Sequence, residues 1–249
     1  MDTKFWGPSG WKLLHYMTES FPVKPNETQK ANIITFFNVL GEVLPCKYCR
    51  ISFKEYIELK PIEKAVDSKE KLCRWMYDIH NMVNAKLRKQ GLVNEKDPSY
   101  NLVRRRFKEY IKDPGFRAGN EGINFISSVA FNYPVKQKCE RCKKLYYELF
   151  FITLPKVIPD IKFSELLTAQ MVEHPIQHIL QCRSVMKKWM YELICKYNSK
   201  KSQSYKGYCK KIEYYRASGC EKKNHKGNTC RKKKKKKGGR RRTRKTKRL

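Results

Sequence analysis

Between Asn26 and Pro45 the apolar residues Ile33, Ile34, Phe36, Phe37, Leu40 and Val43 recur every three or four positions. That period predicts an amphipathic helix with one buried face. The same period runs through most of the chain, and Pro, Gly and capping residues punctuate it. Trp11, Leu14, His15 and Thr18 predict a first helix after Pro8-Ser9-Gly10. Asn26 and Gln29 form a capping-box pattern ahead of the second, which Pro45 stops. Ile51, Phe53, Tyr56 and Ile57 continue the apolar pattern in a third helix. Asp67 with Glu70 again resembles a capping box, before Leu72, Trp75, Met76, Ile79, Val83 and Leu87, and this helix stops near Gly91. Pro98-Ser99 opens a shorter fifth helix with Leu102, Val103, Phe107 and Tyr110, broken at Pro114-Gly115. No strand pattern competes. The expected fold is all-α: a four-helix bundle plus a short fifth helix over residues 1–115. A second, helical domain is expected over 116–200, where Leu145, Leu149 and Ile152, then Phe163, Leu166 and Leu167, then Met186, Trp189, Met190 and Leu193 keep the period. Residues 201–249 form a third segment, cysteine-bearing and then polybasic, with too little apolar content for a core of its own.

Charge is concentrated at that end. The chain of 249 residues carries 56 Lys+Arg against 23 Asp+Glu, a net +33. Residues 231–249 hold 14 of the basic residues and no acid, so the rest of the chain is still +19. Lys232–Lys237 and Arg240–Arg242 cannot neutralise one another and are expected to form a disordered arm. Such an arm suits a solubilising tail, a localisation signal, or non-specific contact with nucleic acid or another polyanion through phosphate neutralisation. No aromatic residues interleave the charges, so base stacking is not expected. A hydrophobic content of 40% excludes wholesale disorder. No apolar run reaches the roughly 18 residues of a membrane span, and Met1–Trp6 lacks a secretory leader. A cytosol-like compartment without a membrane is the expectation.

Ten cysteines in such a compartment point to metal or redox chemistry rather than to a secreted disulfide scaffold. Two pairs have the CxxC spacing, Cys46/Cys49 and Cys139/Cys142, with 89 residues between them, far more than a zinc ribbon uses. Cys46 and Cys49 follow Pro45 at a predicted helix start. Unpaired N–H groups and the helix dipole there stabilise a thiolate, and Lys47 and Arg50 act in the same direction. A dithiol that cycles and a zinc half-site both fit this motif. Cys73 has no evident partner and reads as a small buried apolar residue. His174, His178 and Cys182 share one helical face, which reads as a polar edge more readily than as a metal site. Cys182 and Cys195 are too far apart on one helix to pair.

The segment His80-Asn81-Met82-Val83-Asn84-Ala85-Lys86-Leu87 is more specific. His80 and Asn84 are four apart and share a face, with Lys86 and Lys89 nearby. That combination suits a flat, polar, phosphate-bearing ligand better than a hydrophobic core. Together with Trp11-Lys12-Leu13-Leu14-His15 and Pro45-Cys46-Lys47-Tyr48-Cys49, it resembles the FAD-linked sulfhydryl oxidases of the Erv/ALR type, in order and in approximate spacing. The resemblance covers about residues 5–111, and the chain's added C-terminal region resembles the two-domain members of large DNA viruses.

The resemblance implies that residues 1–115 hold FAD within the bundle, with Cys49 as the flavin-proximal sulfur and Cys46 as the interchange sulfur. Trp11, His15, His80, Asn81, Val83, Asn84, Lys86 and Lys89 would line the FAD site, with Gly7 at a glycine contact and Arg104, Arg105 and Tyr110 in a region of further contacts. It implies oxidation of protein dithiols, electrons passing through Cys46/Cys49 and FAD to molecular oxygen to give hydrogen peroxide. It also implies a homodimer and, if the source is viral, host cytoplasm or virion. No metal is implied. A shuttle pair would be Cys139/Cys142 or two of Cys209, Cys220 and Cys230. Two departures stand out: Leu44 occupies a position that is often aromatic, and no cysteine lies between Cys73 and Cys139 to brace the domain. One rival reading is a zinc-stabilised, basic nucleic-acid-binding protein using Cys209, Cys220, His225 and Cys230, although their spacing lacks paired knuckles. Another is a structural adaptor that has lost its activity.

Overall fold

The structure is a computed structural model and describes residues 1–113, 116–134, 140–199 and 204–216. Eleven α-helices and one 3-10 turn, with no strand, account for the regular structure among these residues.

The first helix, α1 (Thr3–Glu19), starts earlier than the sequence suggests. The Asp2 carboxylate accepts from the Lys4 N–H at 2.9 Å and caps it, so Pro8 lies inside the helix. Proline there removes the single N–H that would reach the Lys4 carbonyl. The Asp2 cap and the buried Trp6 offset that loss. In α2 (Glu27–Val43) the capping box forms as expected: Gln29 N–H donates to Asn26 Oδ1 at 2.9 Å and Asn26 N–H to Gln29 Oε1 at 3.0 Å. Cys46 is the N-cap of α3 (Lys47–Leu59). Its Phe53 is buried, and Tyr56 and Ile57 pack against the core, as expected, but Ile51 is 48% exposed and Ser52 is buried in its stead. The cap of α4 (Lys69–Lys89) shifts by one residue from the expected Asp67. Ser68 Oγ accepts from the Lys71 N–H, while the Asp67 carboxylate takes the Lys71 ammonium at 2.7 Å. Gly91, at φ +62°, ends α4 in the left-handed region that glycine enters without cost. Ser99 caps α5 (Tyr100–Lys112), which lies on the surface with no fully buried residue.

Beyond it come α6 (Ala118–Phe131), α7 (Glu140–Val157), α8 (Ile161–Glu173), the single turn α9 (Ile176–Ile179), α10 (Arg183–Asn198) and α11 (Tyr205–Tyr214). The most extensive packing joins α7 to α2 and α6 to α1. Phe36 stacks on Phe150 with ring centroids 5.5 Å apart. A β-carbon at Gly122 would sit 2.7 Å from the Leu13 side chain, so only glycine permits α6 to lie this close to α1. One cluster of buried side chains therefore runs from Trp6 and Leu13 through Phe150 and Trp189 to Ile212. α11, from the segment judged too polar for a core, contributes Tyr208 and Ile212 to it.

Candidate redox and cofactor site

α3 and α4 converge on α1, and between them lies a cavity of about 300 Å³. This volume is at the small end for ligand pockets. Leu14, Leu40, Leu44, Phe53, Val83 and Phe125 supply apolar walls. His80, Asn84, Lys86, Ser52 and the Cys49 sulfur-bearing side chain supply polar ones. Nothing lies within 4 Å of where a β-carbon of Gly7 would stand, so the wall there is open backbone. Such a space accepts a flat ring system with a polar edge.

Cys46 and Cys49 straddle the first turn of α3. The Cys49 N–H donates to Cys46 Sγ at 3.3 Å, as a capping side chain would accept it. Cys46 is 1% exposed, and Cys49 faces the cavity. The expected lowering of the thiol pKa does not hold for Cys49. Its hydrogen bond to Cys46 and its burial push it well up, and the Lys86 ammonium only partly opposes them. The helix-terminal N–H of Cys49 is directed at Cys46 Sγ.

A histidine pair backs the cavity. His15 Nε2 and His80 Nδ1 lie 3.0 Å apart, so one ring nitrogen donates to the other. His80 stacks on Trp11 at 3.9 Å, and His15 stacks on Phe107 of α5 at 4.6 Å. Burial lowers His15 to about 3, helped by the neighbouring His80, and lowers His80 to about 4 despite Asp97. Both rings are neutral at pH 7, as a buried pair sharing one hydrogen bond must be. Lys86 Nζ donates to Ser52 Oγ at 2.5 Å and to the Tyr48 carbonyl at 3.4 Å, which aims its charge at the CxxC turn. Asn84 donates to Asp97, which Arg88 holds by two bonds of 2.8 and 2.6 Å.

Seven of the residues named from sequence meet at this cavity: Gly7, Trp11, Cys49, His80, Val83, Asn84 and Lys86. His15 stands behind His80. Cys46, Asn81 and Lys89 do not line it, and Lys89 is exposed. Arg104 and Arg105 line a separate surface groove with Lys108 and Glu70. Arg104 reaches inward to buried Glu19, with its Nε 2.7 Å from Oε2, and outward to Glu70. Cys73 is buried beside them and donates to the Thr18 carbonyl at 3.3 Å. Sequence reasoning missed Ser52, Leu40 and Phe125. Ser52 lay one turn beyond Cys49 on the same helix, which was the available signal; Phe125 had none. Cys139, Cys220 and Cys230 lie outside the described residues, as do His225 and the polybasic arm. The side chain of Cys142 is likewise not described.

The Erv1 / Alr family pattern matches residues 8–108, the stretch that builds most of this cavity; Thr3, Lys4, Trp6 and Gly7 line it from before the match and Phe125 from after it. The mitochondrial FAD-linked sulfhydryl oxidase of Saccharomyces cerevisiae is 40% identical over 88 residues, 35% of this chain and 46% of that protein. A probable FAD-linked sulfhydryl oxidase of Acanthamoeba polyphaga mimivirus is 38% identical over 85 residues, 34% of this chain and 59% of that protein. The FAD-linked sulfhydryl oxidase of African swine fever virus is 32% identical over 85 residues, 34% of this chain but 70% of that protein. The chain belongs to the Erv1/Alr family. It spans about half the length of the first two relatives, and its Erv1/Alr segment is followed by helices outside the match. The zinc-based rival finds no support among these relatives. No group of three His, Cys, Asp or Glu side chains that could hold a metal comes together among the described residues. No described helix is long and apolar enough to cross a membrane.

Proposed function

We propose that this Erv1/Alr chain is an FAD-dependent sulfhydryl oxidase that forms disulfides in protein substrates. The observation that carries the reading is that the Cys49 side chain opens into the same cavity as Trp11, His80, Asn84 and Lys86. These residues fit a flavin: apolar walls for the ring body, amide and ammonium groups for its polar edge, and open backbone at Gly7. When bound, FAD supplies a two-electron acceptor that molecular oxygen reoxidises, giving hydrogen peroxide.

The chain's own residues handle the thiols. With Cys46 and Cys49 joined as a disulfide, a substrate thiolate attacks Cys46 Sγ, and the S–S bond breaks to leave Cys49 as a thiolate. A second substrate thiolate then attacks the mixed disulfide and releases Cys46, and the substrate leaves oxidised by two electrons. Lys86, fixed by Ser52, stabilises the negative charge on Cys49 in this step. The neutral pair His15–His80 keeps competing positive charge away from the cavity wall. Cys46 is covered, so access for a protein substrate requires movement of the residues over it.

The finer site assignments belong to this reading: His15, Asn81 and Lys89 as outer cofactor contacts, and Cys139/Cys142 or the tail cysteines as a shuttle pair. So do a cytosol-like compartment, host cytoplasm or virion, contact of the basic arm with polyanions, and a homodimer. Residues 1–115, 116–200 and 201–249 are on this view units of function.

The test is an absorption spectrum of the purified protein and oxygen consumption on adding dithiothreitol. Flavin absorption with thiol-dependent oxygen uptake is expected. A colourless protein that stays so after refolding with FAD would overturn the reading.

A further inference from the structure

We propose that the helical extension is part of the cofactor site, with Phe125 of α6 as a ring-positioning residue for the planar heterocycle. This rests on the flavin reading above. Phe125 is the single residue C-terminal to the Erv1/Alr segment that lines the cavity among the described residues. It is fully buried, and it reaches the cavity by crossing α1 at Gly10. A β-carbon at Gly10 would stand 3.2 Å from the Phe125 ring, tighter than ordinary contact, so the glycine leaves the ring its place.

The crossing is pinned. The Phe125 N–H donates to Ser9 Oγ at 3.2 Å, and the Ser9 hydroxyl donates to the Glu121 carbonyl at 2.6 Å. On the outer side Lys12 holds the Glu121 carboxylate at 2.7 Å. These contacts fix one turn of α6 against the turn of α1 that carries Trp11. The ring itself is gripped on both sides, by Trp6 at 5.8 Å and by Phe150 of α7 at 6.4 Å. Trp6 lines the cavity as well, so the two rings make one aromatic wall. Such a wall presents a rigid face to a flat ligand and gives up little side-chain freedom when the ligand arrives. Without α6, the cavity would open to water at Gly10.

The experiment compares full-length Phe125→Leu with full-length Phe151→Leu. Phe151 is equally buried, packs on Trp189 at 5.3 Å, and does not line the cavity. The readouts are the FAD dissociation constant from quenching of flavin fluorescence and the rise in Tm on adding FAD. Phe125→Leu is expected to weaken FAD about three- to tenfold and to shrink the Tm rise, while Phe151→Leu lowers Tm but leaves the dissociation constant alone. Gly10→Ala, which displaces the ring without removing it, is expected to weaken FAD by a smaller factor and serves if Phe125→Leu fails to fold. Wild-type affinity in both Phe125→Leu and Gly10→Ala overturns the proposal and leaves the flavin reading intact. A wild-type protein that binds no FAD overturns both.

Discussion

The two halves of the molecule bury polar groups for different ends. In α6–α11, Thr153 donates to the Leu149 carbonyl, Gln170 to the Trp189 carbonyl, and Asp160 accepts from the N–H groups of Gly119 and Phe163. These bonds satisfy backbone and join helices, with Tyr197 adding its hydroxyl to Asp160 at 2.7 Å. In α1–α5 several buried or half-buried polar side chains bond to one another: His15 to His80, Lys86 to Ser52, Arg104 to Glu19, Asn84 to Asp97. Side-chain-to-side-chain bonds are a minority in globular proteins. Three of these four pairs touch the one cavity, which indicates groups placed for chemistry, whereas Arg104–Glu19 lies apart from it. The extension, with Phe150, Phe151, Phe163 and Trp189 fully buried, is built as a brace.

The largest expected effect separates chemistry from bracing. Cys49→Ser should retain bound FAD and fall to background in thiol-dependent oxygen uptake. Turnover near wild type would show that Cys49 is not the sulfur facing the cofactor. Next comes Arg104→Ala, which leaves the carboxylate of Glu19, itself 6% exposed, without its cation. A loss of roughly 3–5 kcal/mol is expected in urea unfolding, with part recovered in the double variant carrying Glu19→Gln. No recovery would mean that Arg104 acts through packing rather than through charge.

On the brace side, Asp160→Ala removes the α8 cap and two further bonds, for roughly 2–3 kcal/mol. Oxygen uptake per folded molecule should stay at the wild-type value. A fall in turnover at full folding would erase the distinction between the halves. The smallest effect, taken per pH unit and per histidine, is a slope. His15 and His80 drop from an ordinary 6.5 to about 3 and about 4 on folding, so below pH 6.5 the unfolded chain takes up protons that the folded chain refuses. Stability should therefore fall as pH drops from 6.5 towards 4.5, by at most about 1.4 kcal/mol per pH unit for each histidine. His80→Gln should flatten the slope; an unchanged urea midpoint across that window in the wild type would exclude a buried neutral pair.

Residues whose role is local were legible in the sequence. The Asn26–Gln29 box and the Ser99 start announce themselves because cap chemistry spans three residues. The dithiol turn and the His80–Asn84 face were legible for the same reason, since helical spacing alone brings such residues together. The start of α1 was misread because Asp2 sits six residues before a proline that ordinarily marks a first turn, and burial of Trp6 outweighs that signal. Ile51 was misread because its neighbours Ser52 and Phe53, one step round the helix, face inward instead. Phe125 and the Arg104–Glu19 pair were invisible because each depends on a contact across about a hundred residues of chain. No local pattern encodes that.

The pairing of α2 with α7 also has a consequence in time. The face of α2 that carries Phe36 is completed by Phe150, and roughly 100 residues must be made after α2 before α7 exists. At roughly 5–20 residues per second, that apolar face waits on the ribosome for about 5–20 s. A nascent chain of this kind needs shelter during that interval, and premature termination within the extension would release a bundle with its largest helical face bare.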